Sequence, residues 1–125
     1  MVVSDLQIER QLEQFFAAQR WPGWRAAPRL ELGIPPMTLH FESDGGQLRV
    51  TLLLPVAAVD RQEALRVLLG LCRPEAAGGA PLLAFPLGDQ LALRCLWPPP
   101  GDLASWLELF RRQQALLERA ARGRA

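Results

Sequence analysis

The chain has 125 residues, of which 50% are hydrophobic and 22% charged, with a formal net charge of +1. This length and composition favour one globular domain and argue against a disordered chain. The small net charge argues against a broad electrostatic surface for nucleic acid. The longest apolar run, residues 52–59, is far shorter than the roughly 20 residues of a membrane span. We therefore expect no nucleic acid partner and no membrane span.

The first predicted element is a helix over about residues 5–20, which Ser4 and Gln7 open as a capping box. A Pro-Gly pair after Trp21 ends the helix, and Trp24 follows in the same short aromatic loop. The two tryptophans either cover the end of the core or form a binding surface, and the sequence leaves both interpretations open. The apolar face of the helix includes Leu12, Phe15 and Phe16.

Three strands are predicted next, over about residues 29–33, 38–43 and 47–55, because apolar and polar residues alternate there. Two glycines lie between the second and third strands, and glycine tolerates the positive φ angles that tight turns need. We therefore expect these two strands to pair antiparallel.

A second helix is predicted over about residues 61–72, with Asp60 and Glu63 as a capping box. Its second half is apolar around nearly the whole circumference, whereas a surface helix needs only one apolar stripe. Either this helix is buried on several sides within the core, or one face contacts another protein. The residues that give the helix more apolar surface than one core-facing stripe needs are Leu65, Leu68, Leu69 and Cys72.

Two further strands are predicted over about residues 82–87 and 90–97, joined by a Gly-Asp hairpin turn. Pro86 indicates an edge strand or a bulge, because proline cannot donate a ladder hydrogen bond. After a proline-rich spacer, Asp102 is the predicted cap of a last helix over about residues 103–122.

The order of these elements, α-β-β-β-α-β-β-α, predicts a single α+β domain over residues 1–125. We expect a mainly antiparallel, twisted sheet packed with helices. The N-terminus has no basic start followed by an apolar stretch, which favours a cytoplasmic protein over a secreted one.

No segment has the pattern of an active site. His40 is the only histidine and lies on the polar face of a strand, and no serine lies in a nucleophile elbow. The absence of lysine and tyrosine excludes Schiff-base chemistry and phenolic acid–base catalysis by this chain. Cys72 and Cys95 are widely spaced in apolar segments, which predicts core thiols rather than zinc ligands. We therefore expect no catalytic residue, no cofactor and no metal.

The element order resembles that of the class I type III secretion chaperones, small bacterial cytoplasmic proteins that hold effectors or export regulators for secretion. The resemblance covers essentially the whole chain and rests on pattern rather than on a diagnostic signature. The passages that carry it are the first helix, the central hairpin, the second helix and the last helix, at residues 8–20, 38–41, 48–55, 64–69 and 103–119.

The resemblance implies a dimer joined through the second helix and the adjoining strand, usually a homodimer. It implies that the interface includes Leu65, Leu68, Leu69 and Cys72. Members of this family are typically acidic, whereas this chain has a pI of about 7.9. That difference leaves room for a heterodimer with a sister chaperone.

The resemblance also implies a client, namely an extended segment near the N-terminus of an effector or export regulator. Apolar grooves on the first helix and the sheet would hold this segment, partly by strand addition at a sheet edge. No ATPase activity and no cofactor are implied. The expected client-binding surface consists of Leu12, Phe15, Phe16, Trp21 and Trp24.

Two other functions stay open from the sequence. One is an α+β interaction or adaptor domain unrelated to secretion, with a folded protein as its partner. The other is a small enzyme or ligand-binding protein, which would need a deep pocket that brings His40 together with a carboxylate.

Overall fold

The computed structural model describes residues 4–21 and 26–123. Five strands form one antiparallel sheet in the order β1-β2-β3-β5-β4, and three helices pack with it, which confirms the predicted α+β fold and element order. The helices are α1 (Asp5–Ala18), α2 (Ala58–Leu71) and α3 (Leu103–Ala121); a 3₁₀ helix spans Pro74–Ala77; the strands are β1 (Arg29–Ile34), β2 (Met37–Asp44), β3 (Gln47–Pro55), β4 (Leu82–Leu87) and β5 (Gln90–Trp97).

Side-chain caps begin α1 and α3, as the sequence predicts. The backbone N–H of Gln7 donates to Ser4 Oγ at 3.2 Å, and the Ser4 N–H donates back to Gln7 Oε1 at 3.0 Å. The Asp102 carboxylate accepts hydrogen bonds from the Ala104 N–H at 3.1 Å and from Ser105 Oγ at 3.0 Å. Both caps satisfy backbone groups that have no partner within the helix.

The start of α2 differs from the prediction. The N-cap is Ala57, and no side chain caps this helix, so the predicted Asp60–Glu63 capping box is wrong. Hydrogen bonding outside the helix fixes the chain here, because the Val56 N–H donates to the Asp89 carbonyl at 3.1 Å. The helix therefore begins at Ala58, and Asp60 lies in its first turn, where a carboxylate interacts favourably with the helix dipole.

All three helices pack on the same face of the sheet, and the core lies between them. Phe15 lies at the centre of an aromatic cluster, with five other rings at centroid distances of 5.2 to 6.4 Å in edge-to-face orientations. The other five rings are Phe16, Trp21, Phe41, Trp97 and Phe110.

One buried polar side chain ties α3 to the middle of the sheet. Gln113 is fully buried, and its amide nitrogen donates to the carbonyls of Val50 at 2.9 Å and Leu93 at 2.8 Å. Its amide oxygen accepts a hydrogen bond from Trp97 Nε1 at 3.1 Å. Buried amides need such partners, so these three bonds fix the position of α3 on β3 and β5.

Among the described residues, no helix covers the opposite face of the sheet. Arg94 crosses this open face: its Nε donates to Thr51 Oγ1 at 3.0 Å, and its guanidinium lies 5.3 Å from the ring centre of Phe85. Beside it, Leu53 and Ala92 have only 2% and 0% of their surface exposed. On the half of this face formed by β3, β5 and β4, apolar side chains therefore lie beside Arg94, which extends across the strands.

We predict that Gln113→Leu lowers the free energy of unfolding by at least about 2 kcal/mol, because the buried indole N–H of Trp97 and two carbonyls lose their partner. Urea denaturation followed by tryptophan fluorescence measures this change. The matched variant Gln114→Leu alters a half-buried neighbour and should stay within about 0.5 kcal/mol of the natural protein. Equal stability of the two variants would contradict the structural role assigned to Gln113.

Candidate protein-binding surfaces

The aromatic face of α1 is part of the core. The side chains of Leu12, Phe15 and Phe16 are 0%, 0% and 1% exposed. The prediction that these three residues form a client-binding surface is therefore corrected, because the sheet and α3 already cover them. A helical apolar stripe indicates burial, but it does not distinguish burial within the chain from burial against a partner.

Trp21 is the predicted client-contacting residue that does reach a surface cavity. Its indole is half-buried against Phe15 and Phe110 and lines a cavity of about 420 Å³ at the end of α1. Trp24, predicted with it, lies outside the described residues. We call this cavity the Trp21 pocket. Besides Trp21, its large apolar lining residues are Ile34, Met37, Leu39, Leu54 and Phe110.

Among residues 4–21 and 26–123 no strand pairs with the outer edge of β1, a free edge of the sheet, which runs towards the Trp21 pocket. The Ser43 N–H donates to the Pro28 carbonyl at 2.9 Å, and in an antiparallel ladder alternate residues of β1 make the same kind of bond to β2. The backbone N–H and C=O groups of Arg29, Glu31 and Gly33 therefore point away from β2, along an edge that could pair with another strand.

The edge formed by β4 is different. The Leu96 N–H donates to the Pro81 carbonyl at 3.2 Å, and the same alternation leaves Leu82, Ala84 and Pro86 pointing away from β5. Proline has no N–H, so one of the three outward positions cannot donate to an added strand. Pro86 lies in an edge strand, as predicted, and it makes β4 a poorer template for pairing than β1.

Exposed apolar side chains occur on α2 and on β4, two elements that contact each other. Four of the five large hydrophobic residues with high exposure among the described residues belong to these two elements. They are Val59, Leu69, Leu83 and Leu87, and we refer to them as the α2–β4 strip.

The predicted interface residues of α2 divide between core and surface. Leu69 is 55% exposed, and Leu65 and Cys72 are partly buried. Leu68 is fully buried among the chain's own core residues, so its place in an intermolecular interface is corrected. The strand residues Leu83 and Leu87 are also exposed and apolar, on the same side of β4 as Phe85, and sequence reasoning missed them. Their high apolarity in a proline-containing edge strand was the available signal.

A cavity of about 760 Å³ lies between the first half of α3 and the loop before β4. Charged groups on its wall are paired with one another: Glu108 bonds Arg112 Nε at 3.0 Å and also forms an ion pair with Arg111. Asp102 caps α3. These pairings leave no convergent set of polar groups for a ligand.

His40, which the small-enzyme hypothesis would place with a carboxylate in a deep pocket, lines neither the Trp21 pocket nor the cavity of about 760 Å³ beside α3. His40 Nε2 lies 3.1 Å from Glu31 Oε1 on the open face of the sheet, and both side chains are solvent-accessible. Residues 4–21 and 26–123 contain no group of three or more His, Cys, Asp or Glu side chains arranged to hold a metal ion. Within the same ranges, no helix is both long and apolar enough to span a membrane.

The two thiols are free and embedded in the fold. Burial raises the pKa of the Cys95 thiol from its ordinary value of 9.0 to about 12, and burial also raises the pKa of Cys72. A raised pKa disfavours the thiolate, which is the reactive form. Both cysteines therefore act as packing residues, as predicted from the sequence.

One protein-family model and two solved structures match this chain. The family model SsaM matches residues 5–120 of the chain. Among solved structures, a chain of the heterodimeric complex ExoU–SpcU from the type III secretion system of Pseudomonas aeruginosa has a TM-score of 0.61 with 19% sequence identity, and the match covers 93% of this chain and 96% of that one.

A second solved structure, YbjN of E. coli, a candidate transcription regulator, has a TM-score of 0.55 with 8% identity over 90% of this chain and 87% of that one. A comparison with curated protein sequences finds no match. At these identities the two structural likenesses show a shared fold.

We predict that stability falls as the pH rises above about 9. With no lysine and no tyrosine, the two thiols are the only side chains with ordinary pKa values between about 8 and 12. Between pH 9 and 12 the unfolded chain has lost the Cys95 proton that the folded chain keeps, so the free energy of unfolding decreases by up to about 1.4 kcal/mol per pH unit.

Urea denaturation at several alkaline pH values measures this slope. Cys95→Ala should lower stability at every pH but remove most of the slope, leaving the smaller part that Cys72 contributes. A slope that is unchanged in Cys95→Ala would show that another group controls alkaline stability.

Proposed function

The chain belongs to the SsaM family, and from this premise we propose that it is a non-enzymatic bacterial type III secretion chaperone. It acts in the cytoplasm and binds an extended segment near the N-terminus of an effector or export regulator, which keeps that protein competent for secretion. The observation that carries the proposal is the fold shared with a chain of a type III secretion complex over 93% of this chain.

The free edge of β1 is the site that we assign to the client segment. A segment in extended conformation pairs with the outward backbone groups of Arg29, Glu31 and Gly33, which supplies main-chain hydrogen bonds independent of the client's sequence. Strand addition needs no preformed groove for the backbone. It therefore suits a client that is unfolded before export.

Apolar side chains of the client supply the remaining affinity. On an added strand, alternate side chains lie beside the row of Leu30, Leu32 and Ile34, which faces the helices. At the end of this row, a client side chain enters the Trp21 pocket, where Ile34 and Trp21 form part of the lining. Burial of these side chains, together with the backbone hydrogen bonds, must exceed the conformational entropy that the client loses.

The α2–β4 strip is the surface that we assign to dimerisation. Val59 and Leu69 lie on α2, together with the partly buried Leu65 and Cys72, while Leu83 and Leu87 lie on the open face of β4. A partner that covers both sets therefore wraps around the β4 edge. Association here proceeds through side chains rather than by pairing of β4 edges, because Pro86 lacks a donor at an outward position. The second protomer is an identical copy or a sister chaperone.

A substitution at the β1 edge tests the client site. Gly33→Pro removes an outward N–H and places a ring on the edge, and a Cβ at this position would meet no atom within 4 Å. We expect this variant to fold but to lose at least about tenfold in affinity for N-terminal client segments, since strand addition is blocked. The measurement is co-purification and titration with such segments of the secretion substrates and export regulators from the same bacterium.

Ala84→Pro is the matched control, because it makes the same change at an outward position of the β4 edge. It should bind client segments like the natural protein. Equal binding by both variants would contradict strand addition at β1. If the natural protein bound no such segment but did bind a folded partner, the second candidate function would be favoured, namely an interaction domain unrelated to secretion. The fold also occurs in YbjN, a candidate transcription regulator.

Charge at the α2–β4 strip tests the dimer. Leu83→Glu combined with Leu87→Glu places two carboxylates on side chains that are 54% and 50% exposed, so the fold should tolerate them while an apolar interface should not. We expect a monomer by sedimentation at tens of micromolar. Leu6→Glu, on a residue that is 56% exposed on α1, should leave the dimer intact. The interface would be refuted if the natural protein sedimented as a monomer on its own and if its complexes with secretion partners contained a single chaperone chain.

A further inference from the structure

A second groove lies where the end of α2 and the 3₁₀ helix meet α3, apart from the Trp21 pocket and with a volume of about 510 Å³. Its floor is apolar and consists of Val67, Leu71 and Ala76. Its rim carries three arginines, Arg66, Arg73 and Arg119, which come from three different parts of the fold. We call it the arginine groove.

The rim has an excess of positive charge. Glu75 is the only acidic residue that lines the groove, against three guanidinium groups, whereas the whole chain has a net charge of only +1. Arg73 and Arg119 are exposed, and within the described residues neither forms an ion pair. Arg66 already donates to both carboxylate oxygens of Glu63, at 2.9 Å from Nε and 2.5 Å from Nη2, so a bound carboxylate would share this guanidinium with Glu63. Arg73 and Arg119 therefore supply most of the positive charge.

The glycine at position 70 keeps the groove open. Gly70 lines it, and a Cβ built at this position meets no other atom within 4 Å. Glycine in the middle of a helix lowers helix stability relative to alanine, and α2 has no turn or positive φ that requires glycine at this position. The space above Gly70 is therefore available to a bound group.

From these observations we propose that the arginine groove binds a short acidic segment of a protein partner. Its carboxylates bind the guanidinium groups of Arg73, Arg119 and Arg66, which present paired donors suited to carboxylate oxygens. Apolar side chains between the acidic residues pack on the floor. The proposal does not depend on the client site at β1, because it concerns a different surface and a different chemistry.

Charge complementarity selects this occupant over nucleic acid. Nucleic acid binding draws on many phosphate contacts spread over a basic face, whereas here three arginines surround a small apolar floor. An acidic protein segment with interspersed apolar residues satisfies both the rim and the floor. Neither the exposed apolar α2–β4 strip nor the β1 edge offers the same combination of groups.

The probe is a set of fluorescein-labelled peptides of about twelve residues, in which Asp and Glu alternate with Leu at several spacings. Each peptide has a counterpart with Asn and Gln at the acidic positions. In fluorescence anisotropy at low salt, we expect at least one acidic peptide to bind saturably and its amide counterpart to bind at least about tenfold more weakly. Raising the salt concentration to about 0.5 M should lower the affinity for the acidic peptide, because salt screens exposed ion pairs.

Two variants locate the site. Arg73→Glu combined with Arg119→Glu should lower the affinity for the acidic peptide by at least about tenfold. Gly70→Leu should weaken it as much by filling the groove without changing any charge, while the melting temperature stays the same or rises. The control, Arg10→Glu combined with Arg20→Glu, makes the same charge change at exposed arginines outside both the groove and the β1 edge. Its affinity for the acidic peptide should stay within about twofold of that of the natural protein.

Three results would overturn the proposal. The first is that no acidic peptide of the set binds saturably. The second is that the control arginine variant weakens binding as much as the groove variant, which would indicate a non-specific charge effect. The third is that a single-stranded DNA of about twenty nucleotides binds more tightly than the best peptide and loses affinity in the same groove variants, which would assign the arginines to nucleic acid.

Discussion

The pairing of β5 with β3 determines which surfaces this protein can offer a partner. The last strand in the sequence lies beside the third, with eight residue pairs in register, so β1 and β4 become the two edges of the sheet. Gln113 of α3 depends on the same pairing, because its amide nitrogen donates to one carbonyl from each of these two central strands. The position of α3, the closure of the core and the accessibility of both edges follow from this arrangement.

The two edges have different chemistry, and the assigned roles follow that difference. The outward groups of β1 include a donor at every position and lie next to an apolar pocket. The outward groups of β4 include Pro86, which has no N–H, while two leucines of the same strand are exposed on the open face of the sheet. One edge therefore suits an extended backbone, and the other suits a side-chain interface. A third surface, the arginine groove, adds charge recognition at the far end of α2.

Local patterns in the sequence were sufficient for the elements and the fold class. Period-2 alternation located the strands, and the Ser4 and Asp102 caps located the starts of two helices, since these signals act over a few residues. The start of α2 was misplaced because a bond between Val56 and Asp89, distant in sequence, outweighed a local capping pattern. The surfaces were harder to predict, because periodicity identifies an apolar face without identifying what covers it. For that reason Phe15 and Leu68 were predicted at binding surfaces, although both are core residues. The strand order that leaves β1 at an edge depends on long-range pairing, which local patterns do not contain.

The central claim is that a client segment adds as a strand to the free edge of β1, and amide hydrogen exchange measures it directly. In the free protein the N–H groups of Arg29, Glu31 and Gly33 point to solvent, while those of Leu30 and Leu32 already bond to β2. Binding of a client segment should slow exchange strongly at the three outward amides and change the two inward ones little. If the amides of Arg29, Glu31 and Gly33 exchanged at the same rate with and without saturating amounts of the client segment, strand addition at β1 would be contradicted.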